Sequence, residues 1–225
     1  MIKKILKKVL RRLDPVNSCY SQEGEDMLLS RIMGHIHYAG SFIDIGAHHP
    51  IRFSNTYKFY QAGWRGVNIE ATPGSAAVFN KFRPLDVNLE IAVSDKEEEL
   101  TFYMFNYPQL NSFSESQVAE WDGKNDVKLI EKKTLQTSTI TKILQTHAPG
   151  KKSFDLLSID VEGLDLKILN TLDFSEYRFK YIIAEDSPGD IKAALDGDMT
   201  RFLSSRGYRL LSKLYYSNLY VADEK

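Results

Sequence analysis

Ser41-Phe42-Ile43-Asp44-Ile45-Gly46-Ala47-His48-His49-Pro50, with Gly66-Val67-Asn68-Ile69-Glu70 after it, decides the reading of this chain. Each stretch is a short apolar run that stops at a polar group, and residues 54–61 between them read as a helix. Together they open a nucleoside-binding βαβ unit. Glu70 lies 26 residues beyond Asp44, near the interval of roughly 20 at which such folds set an acid against ribose hydroxyls. The first turn narrows the ligand. A pyrophosphate needs several glycines for close backbone approach, whereas this turn offers one glycine, two histidines and a proline without an N–H. Asp44, two residues before Gly46, would repel phosphate and attract the cationic amino-acid half of S-adenosylmethionine. The expectation is methyl transfer rather than NAD chemistry.

Further strands follow in order. Residues 89–95 (Leu-Glu-Ile-Ala-Val-Ser-Asp) read as a third strand whose end holds the adenine. Residues 154–160, followed by Val161-Glu162-Gly163, read as a fourth and central strand, and 181–186 as a fifth. Residues 208–214 and 215–222 read as a closing antiparallel hairpin. The fold expected is α/β: a single doubly wound, Rossmann-like class I methyltransferase sheet, mostly parallel, with that hairpin at its far edge. The set resembles the FkbM family of S-adenosylmethionine-dependent methyltransferases. The resemblance is carried by Ser21-Gln22-Glu23-Gly24-Glu25-Asp26, Phe42 to Gly46, Glu70, Ala92 to Asp95, Asn111-Ser112 and Ile159 to Gly163. It spans residues 20–188 and implies O-methylation of small molecules or carbohydrates.

At 225 residues and 43% hydrophobic content the chain suits one globular core. The division expected is a basic N-terminal helix over residues 1–13 and a methyltransferase domain over 14–225. Residues 1–13 hold Lys3, Lys4, Lys7, Lys8, Arg11 and Arg12 and no acid; against a chain total of −1 this leaves −7 for the rest. Ile2, Ile5, Leu6, Val9, Leu10 and Leu13 fall on one side of that helix. Such a segment is either a peripheral anchor on anionic lipid or a helix that packs on protein. Cys19 is the sole cysteine, which excludes an intramolecular disulfide and a cysteine metal cluster. The expected setting is cytoplasmic, with peripheral contact at the inner membrane face. Near-neutral charge gives no reason to expect nucleic acid as a partner, and self-association into a homo-oligomer is left open.

Between the strands, residues 22–34, 72–82, 137–147, 164–172 and 191–205 read as helices and 99–105 as an added strand. Residues 106–133 are polar and without sustained period, the candidate substrate lid. Cofactor contacts are expected from Asp44, Gly46, Ala47, Ser54, Asn55, Glu70, Ala92, Val93, Ser94 and Asp160. Ser54 and Asn55 can equally be plain helix caps. Asp160 is the expected base, assisted by Glu162, with His48 and its neighbour His49 as further catalytic candidates. Asp160, Glu185 and Asp186 would supply hard oxygen ligands to Mg²⁺. The acceptor expected is a hydroxyl of a sugar, nucleotide sugar or glycan. The rival readings are a secondary-metabolite O-methyltransferase and a non-catalytic nucleoside-binding module that recruits a glycan-assembly complex.

Overall fold

The computed structural model describes residues 17–34, 38–186 and 189–223. The expected basic helix over residues 1–13 lies outside them. No helix among the described residues is long and apolar enough to cross a membrane.

The strand that opened the reading is β1 (Ser41–Ile45), buried at all five positions. It pairs in parallel with β2 (Arg65–Ile69) on one side and with the strand Ser153–Ile159 on the other. A strand covered on both faces must be apolar nearly throughout, which is why these runs alternate so little. Numbered in chain order, the remaining strands are β3 (Val87–Leu89), β4 (Ala92–Val93), β5 (Glu99–Phe105), β6 (Leu129–Ser138), β7 (Ser153–Ile159), β8 (Arg178–Glu185), β9 (Tyr208–Lys213) and β10 (Ser217–Ala222). The main sheet runs β3-β2-β1-β7-β8-β10-β9, with β10 antiparallel to both neighbours. The order reverses between β1 and β7, and ligands of such sheets bind at that switch, beyond the carboxyl ends of the strands.

Successive side chains of a strand point to opposite faces. Ile43, Ile45, Val67, Ile69, Leu157, Ile159 and Ile182 therefore meet one helical layer and belong to the larger apolar core. Phe42, Leu156, Tyr181, Ile183 and Leu219 turn to the other face and pack with Leu29, Phe59 and Trp64. That second face is covered by α1 (Glu25–Ile32) and α2 (Tyr57–Gln61). The remaining helices are α3 (Ser75–Phe82), α4 (Glu115–Trp121), α5 (Ile140–His147), α6 (Asp165–Leu169), α7 (Ile191–Leu195) and α8 (Asp198–Ser205).

Three expectations need correction. Residues 89–95 are not one strand: β3 ends at Leu89, and β4 joins a separate three-stranded sheet in the order β4-β6-β5. The chain leaves the main sheet at Glu90-Ile91, a change of partner that an unbroken apolar run does not reveal. The end of the expected lid, residues 129–133, is also strand. Residues 129–138 form β6, whose alternation is masked because most of its positions are exposed. Finally, residues 191–205 are two helices. Asp190 caps the first by accepting the Ala193 N–H at 2.7 Å, and Gly197 opens the second in an extended conformation.

Candidate active site

Register places the site. Ile45 is level with Ile69 and Ile159, and Ile159 is level with Ala184. The residues that follow, Gly46, Glu70, Asp160 and Glu185, therefore stand in one row at the carboxyl edge. Gly46 has φ +73°, and a Cβ there would overlap the carbonyl oxygen of Asp160, so only glycine fits between the two strand ends. A cleft of about 870 Å³, counting its open mouth, lies over this row. Gly46, His48, Glu70, Val93, Asp160 and Glu162 line it, and Pro108, Asn111, Ser112 and Phe113 close it from the segment expected to be a lid.

Glu70 is held from behind. Its two carboxylate oxygens accept the His48 and Thr72 backbone N–H groups, each at 2.8 Å. Asn111 ties the opposite wall together: its Oδ1 accepts the Phe105 N–H at 2.8 Å and its Nδ2 donates to Thr72 Oγ1 at 3.2 Å.

Asp160 lies among acids. Burial, and then the charge of Glu162, push its carboxyl up to about 7. Burial, and then the charge of Asp160, push Glu185 up to about 9. The two share a hydrogen bond and titrate as a pair, so near neutral pH they hold at least one proton between them. Burial also raises Glu162, opposed by Gln117, whose Nε2 donates to Glu162 Oε2 at 2.9 Å. Asp165, raised well above the ordinary carboxylate range by burial, pins the loop from below by accepting the N–H groups of Val161 and Glu185.

His48 lines the cleft, and burial lowers its pKa despite the nearby Glu70. His49 is fixed otherwise. Its Nδ1 accepts the N–H groups of Ile51 and Arg52, both at 3.0 Å, which requires that nitrogen to be unprotonated.

Several expected cofactor residues stand elsewhere. Asp44 lies inside β1, one residue short of its end, and the pleat turns its side chain onto the face covered by α1 and α2. It is 4% exposed, accepts the Thr56 hydroxyl at 2.5 Å and hydrogen-bonds Ser158. Ser54 serves the turn before α2: its Oγ accepts the Tyr57 N–H at 3.1 Å. Asn55 donates to Ser158 Oγ at 3.1 Å. None of these three lines the cleft, nor do Ala47, Ala92 or Ser94, which are buried behind it. The trio expected to hold Mg²⁺ is not assembled either. Adjacent strand residues diverge, so while Glu185 meets Asp160, Asp186 Oδ2 accepts from Asn218 Nδ2 at 2.9 Å. Among the described residues, no three His, Cys, Asp or Glu side chains are grouped to hold a metal ion.

Arg83, Asp165 and Gln117 escaped sequence reasoning. Arg83 and Asp165 resemble ordinary helix-end charges. Gln117 occupies the fourth position of Ser114-Glu115-Ser116-Gln117, a capping-box pattern whose glutamine would be read as a cap. Its backbone does bond Ser114 Oγ, at 3.4 Å, but its side chain goes to Glu162.

A largely parallel, doubly wound sheet with an acid-lined cleft at its switch point defines a Rossmann-like methyltransferase fold. The family model for the methyltransferase FkbM domain matches residues 44–210, and the chain belongs to that family. Comparison with curated proteins finds no match.

Proposed function

We propose that this chain transfers the methyl group of S-adenosylmethionine to a hydroxyl oxygen of a sugar, nucleotide sugar or glycan. The observation that carries this reading is the row Gly46, Glu70 and Asp160 beneath a cleft whose wall, among the described residues, has three carboxylates and no Lys or Arg. A negative wall suits a sulfonium amino acid and repels pyrophosphate. Glu70, with both oxygens oriented by backbone N–H groups, is set to accept ribose hydroxyls. Ile91, Val93 and Phe102 form an apolar side suited to a purine ring.

The bound donor supplies an electrophilic methyl on a positively charged sulfur. The protein's part is to position the acceptor and take its proton. Asp160 is the member of its pair that lines the cleft, and burial raises it from the ordinary carboxylate range towards neutrality, where a general base works best. Glu185, protonated, donates to it and fixes its orientation. Glu162, aimed by Gln117, accepts a second acceptor hydroxyl.

Calorimetry on the full chain with S-adenosylmethionine, its demethylated product and NAD tests the cofactor, and labelled methyl transfer to a panel of sugars and nucleotide sugars tests the acceptor. Binding of the first two without NAD is expected. Failure of both adenosyl compounds to bind would overturn the reading.

A further inference from the structure

Phe53 is an aromatic side chain on the cleft wall that is 54% exposed, and no part of the fold explains it. Its backbone is unusual too. Among the described residues five non-glycine positions have positive φ: His48, Phe53, Asn125, Asp126 and Glu162. Asn and Asp tolerate the left-handed region because their short side chains bond locally, whereas a bulky aromatic there is a true outlier. The other three, at φ +51°, +54° and +55°, all line the cleft. Strain of that kind persists only where the surroundings over-determine it.

The surroundings here do. His48 N–H is fixed on Glu70, His49 Nδ1 holds Ile51 and Arg52, and Ser54 N–H donates to Tyr20 O at 3.0 Å. The loop is clamped before, within and after the turn, so the backbone that carries Phe53 is preset. It stands 6.1 Å from the His48 ring, with the planes 31° apart, making a two-ring wall. Acceptors of hydroxyl protons, Asp160 and Glu162, line the same cleft.

We propose that Phe53 is a specificity-determining residue: its ring stacks on the C–H face of an uncharged, hydroxyl-bearing ring in the acceptor, whose hydroxyls face Asp160 and Glu162. This rests on the methyltransferase reading and narrows it. The negative face of an aromatic ring attracts the weakly positive C–H groups of a saturated ring, while the carboxylates take its hydroxyls. Among the described residues the wall has no Lys or Arg, so a phosphate or carboxylate of the acceptor is disfavoured against Glu70, Asp160 and Glu162. A nucleotide sugar would thus enter by its sugar alone.

The test is saturation-transfer NMR on the full chain, with the demethylated cofactor product present. The probes are methyl pyranosides, with hexose 6-phosphates and uronic acids as the anionic set. Transfer to ring C–H protons of at least one neutral pyranoside is expected, with affinity about tenfold lower in Phe53→Ala and Phe53→Leu and retained in Phe53→Trp. Cofactor-product affinity by calorimetry should stay within about twofold in all variants. Transfer unchanged in Phe53→Ala, transfer confined to the anionic probes, or no transfer to any pyranoside while the cofactor product binds would each overturn the proposal. Loss of cofactor-product binding in Phe53→Ala would also overturn it, by moving the ring to the cofactor. Failure of the wild-type chain to bind the cofactor product overturns the methyltransferase reading instead.

Discussion

Asp44 and Asp160 stand at the ends of neighbouring apolar strands of one sheet, the first just inside and the second just past its strand, yet their neighbours differ in charge. Asp44 is enclosed with a cation. Arg83 donates its Nε to Asp86 at 2.9 Å, both side chains fully buried, and its Nη1 donates to Thr56 Oγ1 at 3.0 Å while that hydroxyl donates to Asp44. Asp160 has acids for neighbours and opens onto the cleft. Burial raises Asp44 as well, but there Thr56, Arg83 and Ser158 oppose the shift, and a buried acid with such partners supplied serves the fold. A buried charge crowded by like charges is poised between states, and such groups gather where chemistry is done. The difference arises from two positions of register: Asp44 is level with Ser158, still within the pleat, and Asp160 has just left it.

The largest effect should come from the poised side. Asp160→Asn keeps the shape but cannot accept a proton, and methyl transfer should fall by about 10²–10⁴ while the cofactor product still binds. Calorimetry and turnover on one preparation decide it. If stability collapses instead while the folded fraction turns over normally, Asp160 is a second Asp44.

Next is the paired side. Arg83→Met removes the cation and leaves the buried Asp86, and beside it Asp44, with neutral hydrogen-bond donors only. Breaking such a pair should cost about 3–5 kcal/mol of stability, measured by urea unfolding. Cofactor affinity of the folded protein should not change. A selective loss of cofactor binding would return Asp44 to the cleft.

This contrast also marks what was legible in the sequence. The strand order and the positions of Gly46, Glu70 and Asp160 follow from apolar runs that end in polar residues, because buried parallel strands leave that signature. Which way a side chain points near a strand end depends on where the strand stops, and the sequence does not show that Asp44, still within β1, turns away from the cleft. The partners of Asp44 and Glu162, Arg83 and Gln117, are 39 and 45 residues away in the chain. Only the folded packing joins them. Phe53 reads as any loop aromatic until its backbone angle and its place on the cleft are known.

A smaller effect is expected at Glu70, a carboxylate at the cleft that is held as firmly as Asp44 yet has lone pairs to spare. Glu70→Ala should weaken S-adenosylmethionine binding by about 1.5–3 kcal/mol, the scale of hydrogen bonds to a charged group. It should also loosen the His48 turn, whose N–H loses its acceptor. Unchanged affinity by calorimetry would show that a fixed strand-end acid can belong wholly to the fold, as Asp44 does.

The mildest test reads the two acid settings through pH. Asp160 and Glu185 bind their protons more tightly folded than unfolded, at about 7 and 9 against ordinary values of 3.8 and 4.5. In that window the native state holds more protons than the unfolded one, so stability must fall as pH rises. Their contribution is complete below the unfolded values and is lost as pH climbs through 7 and then 9. Glu162 and Asp165, also raised by burial, act with the same sign. Glu185→Gln carries a neutral amide where the proton would reside and should flatten the decline between pH 7 and 9, leaving the variant the more stable at the alkaline end. Thermal unfolding followed by circular dichroism from pH 6 to 9.5 measures both slopes. Parallel slopes for wild type and variant would mean that Glu185 releases no proton in that range, and the poised pair would dissolve into two independent acids.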